Sequence, residues 1–280
     1  MENKIDVSII IINYNTYNLV LDCIKSIIEK TNGITFEIVV VDNNSMKRDI
    51  EDLNKVFPFV RLILNNKNDG FGAGNNEGNK YASGKYLFFL NSDTLLINNA
   101  ILEMFKFMEA TTTAGVCGGN LFNLNLSPNI SFERCKPRAL VFFYNFVADF
   151  FYRKLFNQSR YFEYGNTPKK INGYISGANF FVSKEIFDKV GGFDECFFMY
   201  YEEVDLTLRI NHLGLFSYVI PQAKIIHLEG GSQLPSSKMK NKWMNESRNY
   251  YFKKNKVYGF YFNKFEMKII NKLCQIKKLL

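Results

Sequence analysis

Short, unbroken runs of apolar residues recur along the first half of the chain, and amphipathic segments separate them. The apolar runs lie at 7–12, 36–41, 60–64 and 86–90. Runs without polar alternation are typical of strands that are buried on both faces of a parallel sheet. Apolar residues at helical spacing predict helices at about 17–30, 47–57 and 98–110. Strands that alternate with helices predict an α/β fold with right-handed crossovers.

The second half has a less regular pattern. Further strands are predicted at 116–121, 171–182, 216–220 and 225–227. Ser183 is predicted to cap a helix that ends at Gly191, and another helix runs to about residue 212. The segment 123–170 is rich in Phe, Tyr and Arg and receives no assignment. Such aromatic density is typical of buried packing, of a binding cleft or of a membrane-facing surface.

Three of the predicted strands end in polar loops. The loops begin with Asn13, Tyr14 and Asn15, with Asp42, and with Asn91, Ser92 and Asp93. Because the carboxyl ends of parallel strands meet at one edge of a sheet, these loops are expected to form one nucleotide pocket. Asp42 is suited to accept a hydrogen bond from a base N–H or from ribose hydroxyls. The alternative is that its side chain only forms the turn.

Asp93 follows the central run 86–90. A carboxylate at that point is suited to hold a divalent cation against a phosphate. The alternative is that Ser92 or Asp93 caps a helix at 95–97.

A polar, glycine-rich loop at 65–76 is predicted to lead into a helix that ends near residue 82. It contains Asn68, Gly70, Gly74 and Asn75, and it does not match the GxGxxG spacing. Glycine before a helix lets the backbone approach a phosphate or a sugar. An ordinary entry from loop to helix is the alternative.

Charge is concentrated at the end of the 280-residue chain. Residues 238–280 contain twelve Lys/Arg and two Glu, a net charge of +10, so the other 237 residues carry about −2 of the total of +8. This distribution argues against a nucleic-acid-binding body. The five scattered cysteines argue against a disulfide framework or a zinc site and favour a reducing compartment. No signal peptide and no membrane-spanning run are expected.

Several motifs occur together in a fixed order. In addition to the three polar loops and the segment 68–78, the chain contains Gly-Gly-Phe-Asp-Glu at 191–195, Glu-Glu-Val-Asp-Leu at 202–206 with Arg209, and His227. In this order, over about residues 7–232, the chain resembles the family 2 glycosyltransferases with the GT-A fold, in particular the rhamnosyltransferase-like branch.

The resemblance implies an α/β GT-A fold with a mixed, mostly parallel central sheet flanked by helices. A nucleotide-sugar-binding half is expected at 1–115, an acceptor-binding and catalytic half of the same domain at 116–237, and a basic helical tail at 238–280. The implied function is metal-dependent, inverting transfer of a sugar from a dTDP- or UDP-linked donor. The implied acceptor is a hydroxyl of a glycan or of a lipid-linked molecule in surface-polysaccharide assembly.

The resemblance also implies roles for individual residues. Asp93 and His227 would hold Mg²⁺ or Mn²⁺. Glu203 would be the catalytic base, and Glu202 or Asp205 would be its substitutes. The implied nucleotide-sugar-binding residues are Asn13, Tyr14, Asn15, Asp42, Asn68, Gly70, Gly74, Asn75, Asn91, Ser92, Gly177 and Ala178.

Two positions depart from the family pattern. Asn91 occupies a position where the family often has Asp, and Glu203 occupies the position of the usual Asp base. Two adjacent carboxylates repel each other, which tends to raise one pKa toward the range useful for a base. Because of these two departures, a non-catalytic homologue that only binds nucleotide sugars is an alternative function. A sugar nucleotidyltransferase is a further alternative, although the Gly-rich basic signature of such enzymes is absent at 13–16.

The C-terminal residues predict a basic amphipathic helix. Its apolar face contains Phe262, Phe265, Ile269, Leu273, Ile276 and Leu280, and its other face contains Lys264, Lys268 and Lys278. Such a helix is suited to bind an anionic membrane surface; packing on the body or on a partner helix is the alternative. The expected location is the cytoplasm, with peripheral binding to the inner face of the cell membrane. The oligomeric state stays open.

Deletion of residues 263–280 is expected to lower binding to anionic liposomes, because it removes the basic amphipathic face. Cosedimentation with vesicles measures this binding, and the circular dichroism spectrum of the remaining chain should stay native. Unchanged sedimentation of the truncated protein would contradict the prediction.

Overall fold

The unbroken apolar runs form the centre of a nine-stranded sheet in the computed structural model, which describes residues 4–47, 49–134, 137, 159–228 and 237–256. The strands are β1 (Val7–Asn13), β2 (Phe36–Asp42), β3 (Arg61–Leu64), β4 (Tyr86–Asn91), β5 (Thr94–Leu96), β6 (Ala114–Phe122), β7 (Phe132–Glu133), β8 (Lys169–Ile171), β9 (Tyr174–Ile175), β10 (Asn179–Ser183) and β11 (Phe216–His227). The helices are α1 (Tyr17–Lys30), α2 (Leu53–Val56), α3 (Phe71–Asn79), α4 (Ala100–Ala110), α5 (Lys184–Lys189), α6 (Glu202–Asn211) and α7 (Ser237–Lys254).

The sheet has the strand order β3-β2-β1-β4-β10-β6-β11-β5, and β8 pairs with β11. The pairs β2–β3, β1–β2 and β1–β4 are parallel, whereas β10 runs antiparallel to both β4 and β6. Asn13 lies opposite Asp42, and Ile12 lies opposite Asn91. The polar loops after β1, β2 and β4 therefore start at one edge of the sheet, as the sequence predicts. The mixed, helix-flanked sheet also confirms the predicted fold class.

Alternate residues of β1 pack into hydrophobic layers on opposite faces of the sheet. Val7, Ile9 and Ile11 cluster with residues of α1 and α4, whereas Ile10 and Ile12 cluster with residues of α5 and α6. All five are buried. Helices on both faces explain why the run has no polar alternation.

Several predicted elements differ in extent. Helix α3 begins at Phe71, inside the predicted loop, because the Phe71 N–H is bonded to the Phe198 carbonyl oxygen. The predicted run 171–182 is divided among three strands: Ile171 ends β8, and β9 and β10 follow with a turn at 176–178 between them. The two strands predicted at 216–220 and 225–227 are one strand, β11, whose pairing with β6 is irregular between Ile220 and Lys224.

The alternative of a helix capped by Ser92 or Asp93 is wrong. Residues Thr94–Leu96 form strand β5, which pairs antiparallel with β11. The polar residues after β4 therefore lie in a tight connection between two strands. The Ser183 cap is confirmed, since its Oγ accepts a hydrogen bond from Ile186 N at 3.1 Å.

The first part of the predicted tail, α7, packs on the body through aromatic residues. Tyr251 and Phe252 of this helix are buried in one cluster with Phe197, Tyr201 and Val204. The face predicted at 262–280 lies outside the described residues. Within the described part of the chain, no helix combines the length and the apolar character needed to cross a bilayer.

Gly70 allows α3 to start against the loop that precedes α6. Its φ is +99°, and a Cβ at this position would collide with the Phe198 carbonyl oxygen. Both the positive φ and the close backbone approach therefore require glycine here.

We expect Gly70→Ala to lower the free energy of unfolding by about 3 kcal/mol, because it combines backbone strain with a backbone collision. Gly191→Ala is the matched control: Gly191 also has a positive φ, +81°, but its Cβ would meet nothing within 4 Å. That control should lose only about 1 kcal/mol. Urea denaturation measures both losses, and equal values would contradict the assignment.

Candidate functional site

The loops after β1 and β2 are joined by a buried hydrogen-bond network. Asn13 Nδ2 donates to Asp42 Oδ1 at 2.6 Å and to Ser45 Oγ at 3.1 Å. The Ser45 hydroxyl donates to Asp42 Oδ1, and the Ser45 N–H donates to Asp42 Oδ2. Asp42 is completely buried. Its carboxylate therefore takes part in the turn, as the alternative interpretation has it, and orients Asn13 and Ser45; a hydrogen bond from Asp42 to a nucleotide stays a prediction.

A cleft of about 250 Å³ opens between these two loops. Its polar lining includes Asn13, Asn15, Thr16 and Ser45. Asn15 has a φ of +58°, and its Oδ1 accepts a hydrogen bond from Met46 N at 2.8 Å. Among the predicted nucleotide-sugar-binding residues, Asn13 and Asn15 line the cleft. Tyr14 is half exposed and is not part of the lining.

The two predicted metal ligands lie side by side. His227 is the last residue of β11 and is paired with Thr94 of β5, so it faces the connection that follows β4. His227 Nε2 lies 3.3 Å from Asp93 Oδ1 and 3.4 Å from Asn91 Nδ2. The side chains of Asp93 and His227 are each only 13% exposed. The structure thus brings a carboxylate, an imidazole and an amide together.

Ser92 connects this group to the cleft. Its hydroxyl lies 3.1 Å from the Thr16 hydroxyl, which is part of the cleft lining. Thr16 is held in turn by Asn13 Oδ1, which accepts from both its N–H and its hydroxyl. The loops after β1 and β4 are therefore in direct contact.

Glu203 lies at the start of α6, after two residues in the left-handed region. Tyr200 and Tyr201 each have a φ of +71°. A Cβ built on Gly177 would lie 3.8 Å from Glu203 Cβ and 3.9 Å from its carboxyl carbon. The predicted sugar-binding turn at Gly177 and the predicted base are therefore neighbours in space.

The same turn contacts the end of β4. The Asn91 N–H donates to the Ala178 carbonyl oxygen at 3.1 Å. Asn91 lies beside His227, and Gly177, the residue before Ala178, lies beside Glu203, so the two predicted functional centres are linked through neighbouring residues.

Burial dominates the electrostatics of the two adjacent glutamates. It raises the pKa of Glu203 from 4.5 to about 7. Burial, and then the neighbouring Glu203, raise the pKa of Glu202 well above its ordinary value. The Oε2 atom of each is buried without a hydrogen-bond partner among the described residues. The other titratable groups that face Glu203 are the hydroxyls of Tyr174, Tyr200 and Tyr201, and their pKa values are raised mainly by burial.

The two substitute bases have other neighbours. Glu202 Cβ lies 3.6 Å from the position of a Cβ on Gly72, at the start of α3. Asp205 Oδ2 accepts hydrogen bonds from Arg209 Nε and from Lys254 Nζ, both at 2.8 Å. Glu203, by comparison, lies beside the turn at Gly177, and its role as a base stays a prediction.

The glycine-rich segment was expected to bring the backbone close to a ligand, and in this structure its residues contact protein. Asn68 Oδ1 accepts from Gly70 N. A Cβ on Gly74 would lie 2.9 Å from Asn43 Oδ1. Asn75 is completely buried and donates to the Phe71 carbonyl oxygen. Its residues support the loops at the sheet edge rather than line the cleft.

Sequence reasoning did not identify Thr16, Ser45 or Tyr174 as site residues. The hydroxyls of Thr16 and Ser45 occur within the polar loops, so a search for hydroxyls beside Asn13 and Asp42 would have found them. Tyr174 lies in the irregular second half, and its place beside Glu203 depends on long-range packing.

Comparison with known proteins shows which family the chain belongs to. The model of the family described as glycosyl transferase family 2 matches residues 8–191, which is more than half of the chain. Glu203 and His227 lie beyond that match, so their assignment depends on the resemblance and the contacts described above.

Curated relatives include the dTDP-rhamnosyl transferase RfbF of Shigella flexneri, which is 26% identical over 77% of this chain and 67% of its own length. The O-antigen biosynthesis protein RfbC of Myxococcus xanthus is 28% identical over 81% of this chain. The chain spans only 18% of the length of RfbC. An uncharacterized glycosyltransferase of Rickettsia conorii is 38% identical over 109 residues, and the match covers 18% of that protein.

The fold is also found among solved structures. The crystal structure of GalNAc-T7 with UDP, GalNAc and Mn²⁺ superposes with a TM-score of 0.64 at 16% identity, over 90% of this chain and 50% of that chain. This structural similarity establishes the GT-A fold. The family match establishes the evolutionary relationship. The chain belongs to glycosyl transferase family 2.

Proposed function

We propose that the chain is a metal-dependent, inverting glycosyltransferase that moves a sugar from a nucleoside diphosphate sugar to a hydroxyl of a glycan or lipid-linked acceptor. The observation that carries the proposal is the series of neighbouring residues along the sheet edge. It runs from the cleft through Thr16 and Ser92 to Asp93 and His227, and from Asn91, through its hydrogen bond to Ala178 and the adjacent Gly177, to Glu203. This order suits a ligand with its nucleoside in the cleft and its sugar near Glu203.

The nature of the donor is supported by relatives and by the polar lining of the cleft. One relative is a dTDP-rhamnosyl transferase, and GalNAc-T7 was solved with UDP. A dTDP- or UDP-linked sugar, with rhamnose as the first candidate, is therefore our proposed donor. Partly exposed Asn15 offers its side-chain amide to the base or the ribose, and the buried network of Asn13, Asp42 and Ser45 forms the polar wall behind it.

Asp93 and His227 suit a shared divalent cation. Among the described residues, no group of three or more His, Cys, Asp or Glu side chains is placed to hold a metal alone. Mg²⁺ and Mn²⁺ accept oxygen and imidazole ligands, and Mg²⁺ is commonly bound by one or two carboxylates together with substrate phosphates. A carboxylate and an imidazole 3.3 Å apart fit that pattern. When bound there, the cation neutralises charge on the departing diphosphate.

Glu203 would act as the base. Its carboxylate takes the proton of the acceptor hydroxyl, and the hydroxyl oxygen forms a bond to the anomeric carbon. The bond from that carbon to the diphosphate oxygen breaks, and its electron pair leaves with the nucleoside diphosphate. Attack from the face opposite the leaving group inverts the anomeric centre. A pKa of about 7 leaves the carboxylate partly ionised near neutral pH, where a general base is most effective.

The acceptor assignment draws on the relatives and the charge of the tail. RfbC of Myxococcus xanthus is named for O-antigen biosynthesis, and another relative is an N-acetylglucosaminyl-diphospho-decaprenol L-rhamnosyltransferase of Mycobacterium tuberculosis. A lipid-linked acceptor in surface-polysaccharide assembly is the form of the proposal that these names favour. The +10 charge of residues 238–280 would then favour peripheral binding at an anionic membrane surface.

Glu203→Gln is expected to lower kcat for sugar transfer by roughly 10²–10⁴-fold, because the amide cannot take the acceptor proton. Asp93→Asn should also remove activity and should abolish the increase in nucleoside diphosphate affinity that Mn²⁺ gives the wild type. Transfer assays with a panel of nucleotide sugars, and calorimetric titration with dTDP or UDP with and without Mn²⁺, measure both effects.

The matched control is Glu185→Gln, which changes an exposed glutamate in the first turn of α5. It should retain wild-type turnover, and Glu203→Gln should retain nucleotide binding. Full activity of Glu203→Gln would remove the base assignment. Nucleotide-sugar binding without transfer to any acceptor in the wild type would favour the non-catalytic homologue.

The raised pKa of Glu203 also predicts how stability depends on pH. The carboxyl group has a pKa of 4.5 in the unfolded chain and about 7 in the folded one, so folding favours its protonated form. Its contribution to stability is complete below pH 4.5 and is lost as the pH rises through 7. The Glu203→Gln variant keeps a neutral group, so its Tm should rise relative to wild type between pH 5 and pH 8. Thermal unfolding measures this change, Glu185→Gln should show no trend, and a constant offset for Glu203→Gln would contradict the prediction.

A further inference from the structure

The loop 194–201, which leads into the start of α6, lies between two helices. On one side the Phe198 carbonyl oxygen accepts from Phe71 N of α3 at 3.0 Å. On the other side three of its aromatic rings pack against rings of α7. The pairs are Phe197 with Tyr250 at 4.8 Å, Phe198 with Trp243 at 4.9 Å, and Tyr201 with Tyr251 at 5.5 Å. The Ser247 hydroxyl of α7 also donates to the Met199 carbonyl oxygen.

The last turn of α7 adds a cation that joins both ends of this region. Lys254 Nζ lies 2.7 Å from Asp194 Oδ2 and 2.8 Å from Asp205 Oδ2. Asp194 begins the loop, and Asp205 lies two residues after Glu203 on α6. Asp205 is completely buried, and its second oxygen accepts from Asn255 Nδ2 at 3.3 Å. A buried carboxylate is stabilised by its charged partners. Loss of Lys254 would therefore weaken the attachment of α7 to both of its anchor points, Asp194 and Asp205.

The backbone between those anchors is strained. Tyr200 and Tyr201 both lie in the left-handed region, which is unfavourable for residues with bulky side chains. Such conformations persist only where the surrounding structure determines them. In this region that structure is α3 on one side and α7 on the other. The direction in which Glu203 leaves the turn therefore depends on contacts made by α7.

We propose that Lys254 is a positioning residue that sets the orientation of Glu203 by holding Asp194 and Asp205 together across the strained turn. Lys254 does not touch the reacting atoms and acts through α6 and the loop. The inference rests on the proposed function of Glu203 as the base. It makes α7 a necessary part of the acceptor side of the site.

Lys254→Met tests this proposal, because it keeps the length of the side chain and removes its charge. Lys254→Arg keeps the charge, and Lys253→Met changes the exposed neighbour of Lys254 on the same helix. For Lys254→Met we expect kcat to fall roughly 10–100-fold, as is usual for a misplaced catalytic group. The dissociation constant of dTDP or UDP should stay within about twofold, because the contacts described above join α7 to the loop 194–201 and to Asp205 and not to Asp93 or the cleft residues. Lys254→Arg should restore most of the turnover, and Lys253→Met should match the wild type.

The pH profile separates positioning from general destabilisation. A loosened turn admits water to Glu203 and reduces the burial that raises its pKa. The acid limb of the kcat profile should therefore move below pH 7 in Lys254→Met and return in Lys254→Arg. Hydrogen exchange of the amides at 194–205 should increase in Lys254→Met, with no increase at β1, β2 and β4. Wild-type kcat and exchange in Lys254→Met would overturn the proposal, as would a fall in kcat with an unmoved pH profile.

Two further measurements keep the outcomes distinct. If Lys254→Met does not fold, Asp194→Asn removes one anchor and leaves the pair between Lys254 and Asp205, and it should move kcat and exchange in the same direction by less. If Glu203→Gln retains full activity, the proposed base is wrong whatever Lys254 does. If Glu203→Gln is inactive while Lys254→Met is fully active with wild-type exchange, only the positioning role fails.

Discussion

Parallel pairing of β1 with β2 and with β4 is the constraint on which the site depends. The pairing places Asn13 beside Asp42, and Ile12 beside Asn91, so each strand releases its polar loop at the same edge. A shift of one residue would exchange the two hydrophobic layers of β1, which separate alternate residues onto opposite faces. Hydrophobic packing thus determines the register, and the register determines which polar groups meet. The contact between Thr16 and Ser92 follows from this alignment.

Three buried carboxylates in and around the site, Asp42, Asp205 and Glu203, have different hydrogen-bond and charge partners. Asp42 is completely buried and its oxygens accept hydrogen bonds from Asn13 and Ser45, so it acts as a fixed part of the scaffold. Asp205 is equally buried and is balanced by Arg209 and Lys254. Glu203 has neither kind of partner on its Oε2 atom. An unpaired buried acid is costly to ionise, and this raised cost is what makes Glu203, among these three, the one suited to the proposed role of base.

The sequence predicted the first half of the molecule well because its signals are local. Unbroken apolar runs identified β1, β2 and β4, and helical spacing identified α1 with the same bounds, Tyr17–Lys30. It predicted less where pairing is distant. Strand β5 was missed because the three residues Thr94–Leu96 have no period of their own, and they form a strand only because β11 lies beside them. The glycine-rich segment was interpreted from composition, whereas Gly70 is required by contact with Phe198, more than a hundred residues away.

The adjacent glutamates at 202 and 203 show why two identical neighbours need not share a role. On a helix, consecutive residues point about 100° apart, so Glu202 turns toward Gly72 of α3 while Glu203 turns toward Gly177. Gly177 lies in the turn whose next residue, Ala178, is bonded to Asn91 at the end of β4. The second glutamate therefore lies beside the turn that is bonded to the end of β4, and the predicted metal ligands Asp93 and His227 lie at that end. A side chain one methylene longer than Asp reaches further from the helix axis, and the built Cβ of Gly177 would lie no closer than 3.8 Å to Glu203, so the facing turn does not crowd the longer side chain. The replacement of Asp by Glu is thus compatible with the proposed base at this position, because the fold accommodates the additional methylene where the helix meets that turn.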